Sequence, residues 1–283
     1  MGSELDITLR GPHAGMDAAD TLKAMDALLQ LLKELERTEL ERSPVPHQPH
    51  GKWQRAGHTR WTFTQLTLGS TRASLAPLLV PEESSYEQVD RVLHQTVSGF
   101  AAAETSPEIP PDWTANAAKL GMAVAGTLGA SRDVGMRLVL RADGANLLEA
   151  EVTERARRNL KDAVKARYTS LGSRRGHLGG LSDAKGKLRA VLWSEIGHER
   201  IPLICDGEQR ELLRQAWGHD RVEVTGRITE NAQGQVVSIR VDEIELLPTE
   251  PSLSPEDLRG GFWPDMTGGI GALEHLAVIR GEA

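Results

Sequence analysis

The run Arg221 to Glu230 (RVEVTGRITE) alternates strictly, with Val222, Val224, Gly226 and Ile228 on one face and polar residues on the other. A sustained period of two is the signature of a half-buried strand and does not fit a helix. Asn231-Ala232-Gln233-Gly234 follows as a turn, and Val237, Ile239 and Val241 resume the pattern. The chain must therefore double back as a hairpin. The apolar phase then slips by one residue at Asp242-Glu243 before Ile244 and Leu246, which a β-bulge accounts for. A lone hairpin is marginal in water, so this one needs partner strands.

Those partners lie just upstream. Leu171 to Leu181 is glycine-rich, with Gly172, Gly176, Gly179 and Gly180, as a first strand needs where it coils around a small barrel. Leu188 to Ser194 (LRAVLWS) reads as a second strand and Glu199 to Cys205 (ERIPLIC) as a third. Glu208 to Trp217 reads as a short helix with Leu212, Leu213 and Ala216 inward. The order strand, strand, strand, helix, strand, strand resembles the five-stranded barrel of the OB-fold.

The first part of the chain mixes periods. Leu5, Ile7 and Leu9 alternate as a strand, and a helix capped by Asp17 is expected to run to about Arg42. Its stripe is Leu22, Met25, Leu28, Leu29, Leu32 and Leu35. Ser43 to Gly57, with three prolines, reads as a loop. A strand around Trp61 and Phe63 turns at Gly69-Ser70 into a partner over Arg72 to Leu79. Helices are expected over Glu82 to Ala103 (Tyr86, Val89, Val92, Leu93 and Val97 inward) and Trp113 to Leu128, then a strand over Met136 to Arg141. Asn146 to Arg167 is expected as one charged helix. The fold class is α+β: a mixed αβ domain over 1–168, an OB-like barrel over 169–247, and a linker and partner-binding tail over 248–283.

The chemistry-bearing residues are sparse. Cys205 is the only cysteine and lies in an apolar run, so it reads as a buried small hydrophobe. His47, His50 and His58 have no carboxylate spaced to complete a metal set, and no metal or cofactor is expected. No P-loop, dinucleotide fingerprint, nucleophile elbow or His-Glu-x-x-His motif occurs, so no catalytic residues and no enzyme are expected. The N-terminus has no signal-peptide pattern and no apolar run is long enough to span a bilayer, which points to a cytoplasmic protein without a membrane partner.

Charge is uneven. The net charge is -7, yet Arg155 to Arg189 holds eleven Lys and Arg against Asp162 and Asp183. OB-folds bind single strands with a basic groove and aromatic platforms. Arg174, Arg175, Lys187, Arg189, Trp193 and Arg200 are the candidate nucleic-acid contacts, with Trp193 as the stacking platform. The competing reading makes the 155–167 cations a solvated helix face and Trp193 a core residue.

Pro248, Pro251 and Pro255 mark a linker. After it come Asp-Leu-Arg-Gly, then Trp-Pro-Asp-Met-Thr-Gly-Gly, then a short apolar segment ending Ile-Arg-Gly. This tail resembles the toxin-binding tails of bacterial antitoxins. The whole chain resembles a bacterial family with this architecture encoded beside PIN-domain ribonuclease toxins. The resemblance implies a non-enzymatic antitoxin-like protein that neutralises a PIN-type nuclease. Phe262, Trp263, Met266, Leu273, Leu276 and Ile279 would dock, and Arg259 or Arg280 would enter the toxin's acidic site. The other reading is an OB-fold single-stranded nucleic-acid-binding protein in repair, RNA metabolism or phage defence. Self-association is compatible with either.

Overall fold

The computed structural model describes residues 3–10, 18–42, 59–67, 72–81, 84–128, 135–184, 187–196, 199–216, 219 and 221–248. Met1–Leu247 form one compact unit. Asp17, the Ser43 to Gly57 loop with His47 and His50, His58 and the tail lie outside the described residues.

The first half is a sheet with helices on one face. Its strands are β1 (Glu4–Arg10), β2 (Arg60–Thr67), β3 (Arg72–Leu79), β4 (Gly135–Ala142) and β5 (Ala145–Val152), in the order β2-β3-β1-β4-β5. Every pairing is antiparallel. Leu5, Ile7 and Leu9 face a core shared with α1 (Ala18–Arg42), α2 (Tyr86–Thr105), α3 (Ala115–Thr127) and α4 (Glu154–Ala163). Alternate residues such as Asp6 and Thr8 face out, so the sheet is apolar on one side and polar on the other.

Local chemistry sets the helix ends. Ser85 and Gln88 form a reciprocal capping box at the start of α2. The Thr114 hydroxyl accepts from the Ala117 amide at 3.0 Å at the start of α3. Glu104 accepts from the Thr153 and Ala156 amides at 2.6 and 3.3 Å, placing an anion at the N-terminus of α4. Trp113 fills the space between α2 and α3 that Gly99 and Gly121 leave. A Cβ on Gly99 would lie 2.2 Å from its indole ring. The ring meets Phe100 edge-on at 5.2 Å, and its Nε1 donates to the Gln95 carbonyl at 2.9 Å.

The expected helix over Asn146 to Arg167 is two elements, strand β5 and then α4. Asp143 and Gly144 have φ of 50° and 81°, a two-residue turn that sends the chain straight back along β4. Leu148, Ala150 and Val152 then alternate as a strand, and the helix starts only at the Thr153 cap. Smaller differences fall at element edges. Leu22, Tyr86 and Leu212, expected inward, are exposed, while Ala24 and Leu31 join the core.

The second half is a closed five-stranded barrel of β6 (Tyr168–Ala184), β7 (Lys187–Ser194), β8 (Arg200–Ile204), β9 (Val222–Glu230) and β10 (Val236–Leu246). The ring runs β10-β8-β7-β6-β9. β10 and β8 are parallel and the other pairs antiparallel. A short α5 (Arg210–Ala216) sits between β8 and β9, with Leu213 and Ala216 in the barrel core. β6 is long enough to pair with β9 through its first half and β7 through its second. Close approach requires glycine at two positions. A Cβ on Gly176 would lie 1.8 Å from the Trp193 carbonyl oxygen, and one on Gly226 2.1 Å from that of Arg240. The ladder between β9 and β10 shifts register between Val241 and Glu243, where the apolar phase slips in the sequence.

The halves have separate cores but are fastened together. Val237 of β10 is buried in the first core. At the β9–β10 turn, Asn231 donates to the Ala163 carbonyl at 2.8 Å. Gln235 accepts from the Ile109 amide at 2.8 Å and donates to its carbonyl at 3.1 Å.

Candidate nucleic-acid interface

The β7–β8 ladder carries three of the expected contacts, Arg189, Trp193 and Arg200. Its register pairs Arg189 with Ile204, Val191 with Pro202 and Trp193 with Arg200, and the side chains of Ile204, Val191, Pro202, Trp193 and Arg200 are on the side away from the barrel core. Burial rises steadily along them: Ile204 is 43% exposed, Val191 and Pro202 are half-buried, and Trp193 and Arg200 are buried. The cause is α1. The Arg200 guanidinium donates to Glu41 at 2.8 Å and reaches Glu34 at 3.4 Å. Arg37 bonds Glu34 at 2.6 Å and lies 3.8 Å from Glu41, so two cations and two carboxylates close on one another. Two expected contacts are thereby corrected. Arg200 is committed to an internal ion pair, and Trp193 is buried, seated so close over Gly179 that a Cβ there would lie 2.2 Å from its ring, so it offers no open stacking platform.

The other expected contacts differ among themselves. Arg175 is exposed but pairs with Glu223 at 3.0 Å. The Ser173 hydroxyl, foremost, and Arg175 hold the Glu223 carboxyl below the usual carboxylate range. Arg174 is half-buried, donating to the Ser173 carbonyl at 3.1 Å and lying 3.7 Å from Glu230. The backbones of Lys187 and Arg189 are in β7, and their side chains lie outside the described residues. So do Arg259, Phe262, Trp263, Met266, Leu273, Leu276, Ile279 and Arg280, together with the rest of the tail.

The structure brings together a set that sequence reasoning misses. One register row crosses four strands: Leu171 opposite Arg227, Arg227 opposite Arg240, and Arg240 opposite Ile204. Arg189 closes the row on β7. Leu171, Arg227, Arg240 and Ile204 are all exposed. Among the described residues neither Arg227 nor Arg240 has an ion-pair partner. The adjacent row on the same face holds Thr169, Thr229 and Ser238, and Arg167 stands exposed just before it. This face therefore offers two uncommitted guanidiniums side by side, flanked by hydroxyls and two exposed aliphatic groups. The signal available in the sequence was the polar set of each alternating strand, where Arg227 and Arg240 sit beyond the 155–189 belt. Register alone makes them neighbours.

A second polar surface is the open face of the first sheet, a trough of about 340 Å³ lined by Asp6, Thr8, Arg72, Ser74, Arg137 and Arg141 among others. Its charges are largely spent on one another. Arg137 holds Glu149 through two bonds of 2.6 Å, Arg141 meets Asp6 at 2.9 Å, and Arg10 meets Glu151 at 3.0 Å. The Arg137 bond holds the Glu149 carboxyl below its usual range.

No group of three or more His, Cys, Asp or Glu among the described residues is arranged to hold a metal, and no described helix is long and apolar enough to cross a membrane. Cys205 is buried, and burial pushes its thiol up to about 11, away from the thiolate form a nucleophile needs. Fold and surface together define an α+β protein with a closed five-stranded barrel and an arginine-bearing outer face. No family model, curated protein or solved structure matches the chain.

Proposed function

We propose that the barrel is of the OB type and that the protein binds a single strand of nucleic acid on the outer face carrying Arg227 and Arg240. Ring order supports the barrel type: numbering the five strands along the chain, the third pairs with the fifth in parallel and the fourth with the first, and a helix separates third from fourth. The observation that carries the binding reading is the Arg227–Arg240 pair. Like charges directly opposite across a ladder destabilise it, and no carboxylate relieves this pair among the described residues. A phosphate backbone supplies the missing counter-charge, and Thr229 and Ser238 beside it are phosphate-binding donors. Leu171 and Ile204 at the ends of the row would give sugars and bases apolar contact. α1 closes one end of the β7–β8 ladder, so the strand's path lies round the barrel toward β10 and β9.

Fluorescence anisotropy with labelled single strands of about 12 nucleotides, RNA and DNA, tests this. Affinity should fall with salt. Arg227→Gln with Arg240→Gln should weaken binding about tenfold or more and flatten the salt slope by about 1.4, at roughly 0.7 for each phosphate no longer neutralised. Absence of salt-dependent binding, or a double variant that binds as the parent does, overturns the reading.

The toxin-neutralising reading is a separate proposal that rests on the tail's residues alone. Deleting Pro255 to Ala283 should then abolish capture of a PIN-type nuclease, and undiminished capture would refute it.

A further inference from the structure

The 155–167 cations, which the sequence allows to be no more than a solvated helix face, acquire a place once α4 is set beside the barrel. α4 turns Ala156, Leu160 and Ala163 into the core and leaves Arg155, Arg158 and Lys161 exposed. Arg157 is different: it is spent on Glu154 through bonds of 2.6 and 2.5 Å. Lys165 and Arg167 follow, also exposed, and the Arg167 amide donates to the Glu230 carbonyl at 2.8 Å, fastening the start of β6 onto β9. The exposed side of 155–167 thus carries five cations against the single carboxylate of Asp162. Among the described residues none of the five is within ion-pair distance of a carboxylate, although the Glu154 carboxyl, held low chiefly by Arg157, also feels Arg158 and Lys161. The run ends where the outer face begins, since Thr169 and Leu171 come next along β6.

We propose that a bound single strand continues off the barrel past Arg167 and along the exposed side of α4. The inference rests on the nucleic-acid reading above and names a second segment of that site. Arg155 to Ala163 spans about 12 Å at the helical rise, and Lys165 and Arg167 extend the path, room for several further nucleotides. An excess of exposed cations in a chain of net charge -7 makes a local field that attracts a polyanion. Because α4 contributes cations without exposed aromatics, its contacts are to phosphate. They add affinity and salt dependence without sequence preference.

The experiment compares labelled strands of about 6 and about 20 nucleotides across a salt series, with the full chain and with Arg155→Gln/Arg158→Gln/Lys161→Gln. For the parent, the long strand should show a salt slope steeper by about 2 than the short one. The triple variant should lose that excess and bind the long strand about tenfold more weakly at low salt, while the short strand is unaffected. Equal slopes for both lengths in the parent overturn the inference whatever the variant does, which covers a variant that fails to fold. So does a variant that binds the long strand as the parent does. Equal loss for both lengths also overturns it, since α4 would then act as a general field and not as a second segment. In all three cases short-strand binding leaves the barrel reading standing. If the parent binds neither length, that reading falls with this one.

Discussion

Arg200 and Arg240 lie on neighbouring strands of one barrel, and both point outward, yet their circumstances are opposite. Arg200 is 8% exposed, inside a set of two cations and two carboxylates shared with α1. Arg240 is exposed and faces Arg227 across the ladder. The same residue type on the same barrel thus serves assembly of the two halves in one place and leaves charge unbalanced in the other. An arginine's role is decided by where the carboxylates are. A buried guanidinium demands partners because desolvation is costly, whereas an exposed one tolerates their absence.

That contrast can be broken in order of expected effect. Arg200→Ala should destabilise the protein by about 3–5 kcal/mol in denaturant unfolding, because Glu34 and Glu41 are left buried with too little counter-charge. A loss comparable to that of an exposed arginine would show that α1 does not close the ladder. Gly179→Ala should cost about 1–3 kcal/mol by pushing the Trp193 ring from its seat. On the open face, the double change of Arg227 and Arg240 to Gln should move stability by no more than about 0.5 kcal/mol, and toward greater stability as the repulsion is relieved. A large loss there would make the pair structural and remove the asymmetry.

At neutral pH the smallest effect concerns the titration of Cys205, which shows only in alkaline solution. Its folded thiol titrates near 11, above the ordinary value near 9. The stability this contributes is fully present below about pH 9 and is lost as pH rises toward 11. The stability of the parent relative to Cys205→Val should therefore fall over that interval. A gap independent of pH would indicate that the thiol is not buried in the barrel core. Thiol reagents near pH 8 should modify it only slowly in the folded protein.

Much of the barrel was legible as pattern. Strict alternation in β9, the turn at Asn231 to Gly234 and the phase slip at Asp242 each have a local cause, and each is found where the pattern put it. The failure at 146–167 has a local cause too. Asp143-Gly144 is a turn dipeptide, but Leu148, Val152, Leu160 and Val164 also form a thin apolar seam on a helix, and the charged residues between them suit a helix surface as well as an edge strand. The site residues fared differently. Trp193 and Arg200 have the composition of a binding face, and nothing near them in the chain indicates that both are buried or that α1, more than a hundred and fifty residues earlier, covers Arg200.

The sequence by itself determined which residues alternate, where the chain turns, which glycines sit in the strands and that positive charge concentrates after residue 155. These are properties of neighbours along the chain, set by side-chain period and backbone sterics. The tertiary structure alone decided that Arg227 stands opposite Arg240, that Glu34 and Glu41 meet Arg200, and that the α4 cations lead onto the open face. Register and packing bring distant residues within a few ångströms, and whether a charge is spent or spare depends on that distance.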